Sequence, residues 1–189
     1  MYDKEVDSSD SFVEKKDPGR DSKKHQGKKT MRVMNSEEMH QLINLCKWAT
    51  ICSVSPDHFP YAIEATPFHD GRDICFMINP RGGTWSNVQT NPKVLLKFTM
   101  ASPQLLWWAG VSCHGTGVFD TDPDNIRRGW DLLGQVMNQD YTRFAEKFSS
   151  RPERSTLFRV KIMSVTGRCS APVGEPLDFK AMQEEIRES

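Results

Sequence analysis

The stretch Asn79-Pro80-Arg81-Gly82-Gly83-Thr84-Trp85-Ser86-Asn87 carries residue types suited to holding an anion. It leads from an apolar run, Ile74 to Ile78, into a segment with helical character. Glycines let a backbone close tightly around a ligand. A Thr hydroxyl at a helix start can hydrogen-bond an oxyanion, and free N–H groups with the helix dipole attract phosphate. Arg81 adds a permanent charge with forked donors. Taken alone, the same residues equally fit a Gly-rich turn with Thr84 as helix N-cap. The stretch is not a P-loop, because no Gly-Lys-Ser/Thr follows the glycines.

Other reactive residue types are scattered. His25, His40, His58, His69 and His114 show neither HxH nor HExxH spacing, so no metal site is expected. No GxSxG elbow supports a serine nucleophile. Glu64 lies in the middle of an alternating apolar strand, facing either a site or solvent. Trp107 and Trp108 place one indole on each face of a long strand, one for the core and one for a planar ligand or a subunit seam. The five cysteines, Cys46, Cys52, Cys75, Cys113 and Cys169, are odd in number and lack CxxC spacing. They read as buried reduced thiols, not as a disulfide framework or a zinc site.

These groups sit in a chain of 189 residues with 25 basic and 25 acidic side chains. The zero balance argues against a nucleic-acid partner bound by phosphate neutralisation. Residues 1–30 hold eight Lys/Arg and seven Asp/Glu and few apolar residues, so they read as a charged, disordered leader. No run of about 20 apolar residues for a membrane span is present, and the first residues lack a signal-peptide pattern, so no membrane role and a cytoplasmic location are expected. A folded domain over 31–170 and a C-terminal extension with a short helix over 171–189 follow.

The elements that must position the anion loop are legible from periodicity. Asn35 or Ser36 opens a helix over 36–46. Strands are expected at 48–54, 61–68, 74–78, 94–100, 105–119 and 156–165, with a hairpin turn at Asp70-Gly71. Gly110, Gly115 and Gly117 inside the long strand mark bulges, bends or close backbone approach. Helices are expected at 84–90, after Asp122-Pro123, around Tyr141 to Phe148, and near Phe179 to Ile186. Six strands in short antiparallel succession, one of them long and bent, favour a mainly β fold: a six-stranded antiparallel barrel with peripheral helices.

The order of these pieces resembles the pyridoxamine 5'-phosphate oxidase-like family, the FMN-binding split barrels, and within it the nitroimidazole-reductase-like branch. The resemblance is carried by the strand ending at Val54, Pro60-Tyr61, Asp70-Gly71, Thr84-Trp85-Ser86-Asn87-Val88 and Asn91-Pro92-Lys93-Val94, and covers roughly residues 32 to 168. It implies a homodimer with FMN at the interface. The flavin phosphate then falls to Arg81, Gly82, Gly83 and Thr84, and the ring lies along Phe76, Met77, Ile78 and Asn79. Glu64, Ala65, Thr66 and Pro67 supply the neighbouring strand, and Trp107 or Trp108 of the partner covers the ring. Many members carry Lys or Arg immediately before the Thr-Trp pair, where this chain has Gly83, which leaves Arg81 as the available cation. The C-terminal Arg-rich motif of true pyridoxamine phosphate oxidases is missing, so vitamin B6 oxidation is not expected.

The resemblance therefore implies a flavin-dependent oxidoreductase acting on a small acceptor, with a nicotinamide as possible electron donor. No catalytic side chain is assigned, because a flavin carries its own redox chemistry; Glu64 and His69 are the nearest proton-donor candidates. The alternative is a flavin, deazaflavin or haem binder serving as redox carrier or sensor, or a dimer without cofactor. Deleting residues 1–30 should leave the melting temperature nearly unchanged, and a large drop would show that the leader packs on the barrel.

Overall fold

The computed structural model describes residues 31–104, 106–170 and 176–188, so the leader expected over 1–30 and part of the extension expected over 171–189 lie outside the described residues. A two-residue strand β1 (Arg32–Val33) is followed by helix α1 (Ser36–Leu45), β2 (Ala49–Val54), β3 (Pro60–Ala65), β4 (Phe68–Asp70) and β5 (Asp73–Ile78). Then come α2 (Gly83–Thr90), β6 (Lys93–Ala101), β7 (Trp108–Asp120), α3 (Pro123–Met137), α4 (Thr142–Ser149), β8 (Thr156–Cys169) and α5 (Phe179–Glu188). All pairings are antiparallel, in the order β3-β2-β6-β7-β8-β5-β4, with β1 added to β8.

The strand expected over 61–68 is two strands. Pro67 offers no N–H to a ladder, and the chain breaks at Thr66-Pro67. With β1, this raises the six expected strands to eight. The break also shapes the sheet. β3 and β4 are its opposite edges, yet Ala65 and Phe68 are only three residue steps apart, at most about 11 Å. A flat seven-strand path would hold its edges about 29 Å apart, at about 4.8 Å per strand. The sheet must therefore curl into a split barrel whose open seam is crossed by Thr66-Pro67.

The barrel interior follows the alternation of the strands. Ile51, Ile74, Phe76, Leu96, Phe98, Val111, Phe158 and Val160 are buried together. The register of β7 on β8 shifts at His114/Gly115, where a Cβ on Gly115 would come within 2.6 Å of the Lys161 carbonyl oxygen. The expectation that strand glycines mark bulges and close approach holds there. Leu42 and Ile43 of α1, with Cys46 at its C-cap, close one end of the barrel and share its core with Phe179 and Met182 of α5. On the outside, α3 covers the second face of β5, where Phe68, Cys75, Leu133 and Leu157 form a smaller core. Asp70 ties the β4–β5 hairpin to α3 and β8, accepting from Arg128 at 2.8 Å and from Arg159 at 3.0 Å.

Two buried polar groups fix the helices. Glu38 closes a capping box with Asn35, receives Arg32 at 2.6 and 2.8 Å, and accepts the Leu177 N–H at 3.2 Å. One carboxylate thus joins β1, α1 and the segment before α5. The Arg32 hydrogen bond holds its pKa down at about 2, against the opposing effect of burial. Asn87 of α2 donates to the Ser53 hydroxyl of β2 at 3.0 Å, with both groups buried.

Glu38→Gln should cost about 3 kcal/mol at neutral pH, since it breaks a buried pair and leaves Arg32 uncompensated. Because the folded pKa is depressed, the stabilisation is present above the ordinary value of 4.5 and is lost as pH falls toward about 2. Urea midpoints across that range should decline in the wild type and stay flatter in the variant. Asn87→Ala should cost about 1–3 kcal/mol by stranding the Ser53 hydroxyl, read from the same midpoints.

Candidate functional site

The anion loop leaves β5 at Asn79 and enters α2 at Gly83. It is a tight turn: the Asn79 side-chain oxygen accepts from the Arg81 N–H at 3.0 Å, and the Asn79 carbonyl accepts from the Gly82 N–H at 3.3 Å. The N-cap of α2 is Gly82, with no side-chain cap bond. Thr84, one of whose expected readings was the N-cap, instead stands at the second helical position. There its side chain turns inward, only 2% of the residue is exposed, and its Oγ1 is buried without a hydrogen-bond partner. A buried hydroxyl left unpaired costs about 1–3 kcal/mol, so it marks a place where an acceptor is missing. Arg81 is exposed and makes no ion pair among the described residues. The loop therefore combines an uncapped helix start, an unsatisfied hydroxyl and an unpaired guanidinium.

The structure also explains Gly83. The ring of Tyr61, on β3, lies against it: a Cβ there would meet the ring at 2.8 Å and the phenol oxygen at 3.2 Å. The space that a long basic side chain would need is filled by an aromatic ring carrying a polar tip. In the sequence Tyr61 stood out as a strand residue and as part of the Pro60-Tyr61 piece of the resemblance, not as a neighbour of Gly83. Its approach to Gly83 depends on β2–β3 pairing, in which Tyr61 lies opposite Ser53, and on the Asn87–Ser53 bond that holds α2 over β2. No local signal in the chain carries that information.

The remaining expected residues divide by place. β3 touches both β5 and α2 across the seam, so the strand that bears Tyr61 and Glu64 lies beside the strand and the helix that flank the loop. Glu64 is exposed and accepts the Thr50 hydroxyl at 2.7 Å, and Pro67 is buried. Phe76 and Ile78 point into the barrel core and Met77 into the smaller core under α3, so these three β5 side chains are occupied by packing. Trp107 and Trp108 are elsewhere. The strand expected from residue 105 begins at Trp108, because the Ser102 hydroxyl accepts the Leu106 and Trp107 N–H groups and forms a turn. Trp107 therefore precedes the strand, packs on the core and donates its indole N–H to Glu185 of α5. The far end of β7 is the one near α2, where Phe119 lies 4.6 Å from Trp85. Eleven residue steps separate Trp108 from Phe119, about 35 Å of strand. Within one chain neither tryptophan of the pair reaches the loop.

Beside the loop, Pro80, Arg81, Trp85, Thr121, Pro152 and Glu153 line a cleft of about 430 Å3. The chemistry of the other candidates is muted. Burial pushes the Cys46 and Cys113 thiols up to about 11 and Cys75 to about 12, so they stay protonated at neutral pH. All five cysteines are free, and Cys52 alone is not fully buried. Among the described residues no group of three or more His, Cys, Asp or Glu is placed to hold a metal, and no helix is long and apolar enough to cross a membrane.

The fold and the loop have counterparts. No functionally curated protein matches the chain. Among solved structures it is similar to a candidate 5-nitroimidazole antibiotic resistance protein from Bacteroides thetaiotaomicron, at 14% identity and a TM-score of 0.59, covering 78% of this chain and 96% of that one. It is similar to a FAD-binding protein from Mesorhizobium loti, at 15% identity and a TM-score of 0.59, covering 76% and 98%. It is also similar to a haem storage protein from Vibrio cholerae, at 13% identity and a TM-score of 0.55, covering 69% and 92%. At such identities these likenesses speak for the split-barrel fold. The family model for pyridoxamine 5'-phosphate oxidase matches residues 36–169, from the first residue of α1 to the last of β8, and on that match the chain belongs to the pyridoxamine 5'-phosphate oxidase family.

Proposed function

We propose that the chain binds FMN through its phosphate at the start of α2 and works as a flavin-dependent oxidoreductase on a small acceptor. The observation that carries this reading is the buried, unpartnered Thr84 hydroxyl beneath an uncapped helix N-terminus. A phosphate supplies the acceptor that Thr84 lacks, and the helix dipole and Arg81 favour its charge. In this reading Tyr61 offers a neutral phenol where many relatives place a cation, so the site holds phosphate with one positive charge fewer. The Mesorhizobium loti neighbour, described as FAD-binding, supports the flavin class.

When bound, FMN supplies the two-electron chemistry. The work left to this chain is to bind and orient. Thr84, Gly82, Gly83 and Arg81 hold the phosphate end, Asn79 braces the same turn, and Glu64 stands on β3, the strand that touches α2. The reading includes a homodimer, with cytoplasmic location and a nicotinamide as the reductant. Trp107 and Trp108 lie about a strand's length from the loop of their own chain, so they can meet the flavin only from a second copy. Exposed Trp48, Phe59 and Val118 give apolar surface for such a contact.

Thr84→Val should separate function from folding. Removing an unsatisfied buried hydroxyl should leave the melting temperature unchanged or slightly raised. Fluorescence-quenching titrations should show Thr84→Val and Arg81→Ala each weakening FMN about ten- to hundredfold, the loss of one charge-assisted hydrogen bond, with riboflavin unaffected. Equal weakening of both ligands, or none, would remove the phosphate from this loop. Anaerobic reduction of the bound flavin by NADH or NADPH, with reoxidation by a nitroaromatic, distinguishes the enzyme from a redox carrier.

A further inference from the structure

A second cavity, of about 380 Å3, lies between α1 and the β4–β5 hairpin. Its volume is in the range of small-molecule sites. None of the residues lining it belongs to the α2 loop. Its walls are of two kinds. Ile43 of α1, Ile74 of β5 and Ile162 of β8 give an apolar floor, while His40, His69 and Arg72 stand among the polar residues that also line it.

The charge on that rim is uncompensated. No Asp or Glu lines the cavity among the described residues. The nearest acids on the hairpin, Asp70 and Asp73, are engaged by Arg128 and Arg159. Arg72 makes no ion pair among the described residues. Burial, and next the neighbouring His40, push the His69 imidazole pKa down. Cys113 also lines the cavity, but burial keeps its thiol protonated and it supplies no anion. Three groups able to carry positive charge thus meet over an apolar floor with no anion between them.

We propose that this cavity binds a small carboxylate with an apolar body, an aromatic or short acyl acid, its carboxylate held by Arg72, His40 and His69 and its body on Ile43, Ile74 and Ile162. An inorganic anion would satisfy the rim and leave the floor wet. A neutral apolar molecule would fill the floor and leave the cations unmatched. The combination selects an amphiphilic anion. The site shares no lining residue with the α2 loop and does not depend on the flavin reading; His69, a proton-donor candidate from the sequence, lines this cavity instead.

Calorimetric titration of the full-length chain with benzoate, benzyl alcohol and inorganic phosphate tests this, with and without saturating FMN. Benzoate should bind at least tenfold more tightly than either of the others, and FMN should leave its affinity unchanged. Arg72→Ala and the double variant His40→Gln/His69→Gln alter exposed positions and should fold with an unaltered circular dichroism spectrum. Each should weaken benzoate at least tenfold while bringing it toward benzyl alcohol. The proposal is overturned if benzoate does not bind, if benzyl alcohol or phosphate binds as well, or if the rim variants bind like the wild type. Competition between benzoate and FMN would also overturn it, by placing the acid in the flavin's neighbourhood.

Discussion

The two residues Thr66 and Pro67 impose the constraint on which the rest depends. They join the outermost strands of a seven-strand path, so the sheet has to close on itself. That closure turns one face of every strand inward, where Phe76, Phe98 and Phe158 pack, and brings β3 against β5 and α2. Without it, the loop after β5 and the strand bearing Tyr61 would stand at distant parts of an open sheet. The proline that interrupts the ladder stands where the chain passes from pairing with β2 to pairing with β5.

Around that seam, the physical signal is an imbalance. Most buried polar groups among the described residues are satisfied: Glu38 by Arg32, Asn35 and Leu177, Asn87 by Ser53, Thr156 by the Asp120 carbonyl. Thr84 is a departure from that economy, and it sits at a helix start with no capping side chain. Local frustration of this kind is typical of sites shaped for a partner that folding alone does not provide. The second cavity shows the same feature in electrostatic form, with cationic groups gathered and no acid among them.

Much of this was legible in the chain itself. The Asn35 cap, the Asp122-Pro123 helix start, the Asp70-Gly71 hairpin and the glycines of the long strand act through bonds between near neighbours, and each was found where spacing put it. The loop 79–84 was legible as a tight Gly-rich turn entering a helix for the same reason. What was not legible depends on distant register. The break at Thr66-Pro67 looks like one strand with a proline near its end. Trp107 looks like a strand residue until the Ser102 turn and Glu185 of α5 are in place. Phe76 and Ile78 alternate like any strand, and only the curl decides that their side chains face the core. The Tyr61–Gly83 contact explains a missing basic residue through packing across two strands and a helix, which no local pattern encodes.

The proposed function puts a flavin between two copies of this chain, with its phosphate on one subunit's α2. Sedimentation velocity of the FMN-loaded protein, followed at the visible absorption of the flavin, tests this most directly. The colour should move as one boundary at twice the 21.6 kDa protomer mass, with about one flavin per chain. Colour that stays behind as free FMN, or travels with a monomer, would contradict it.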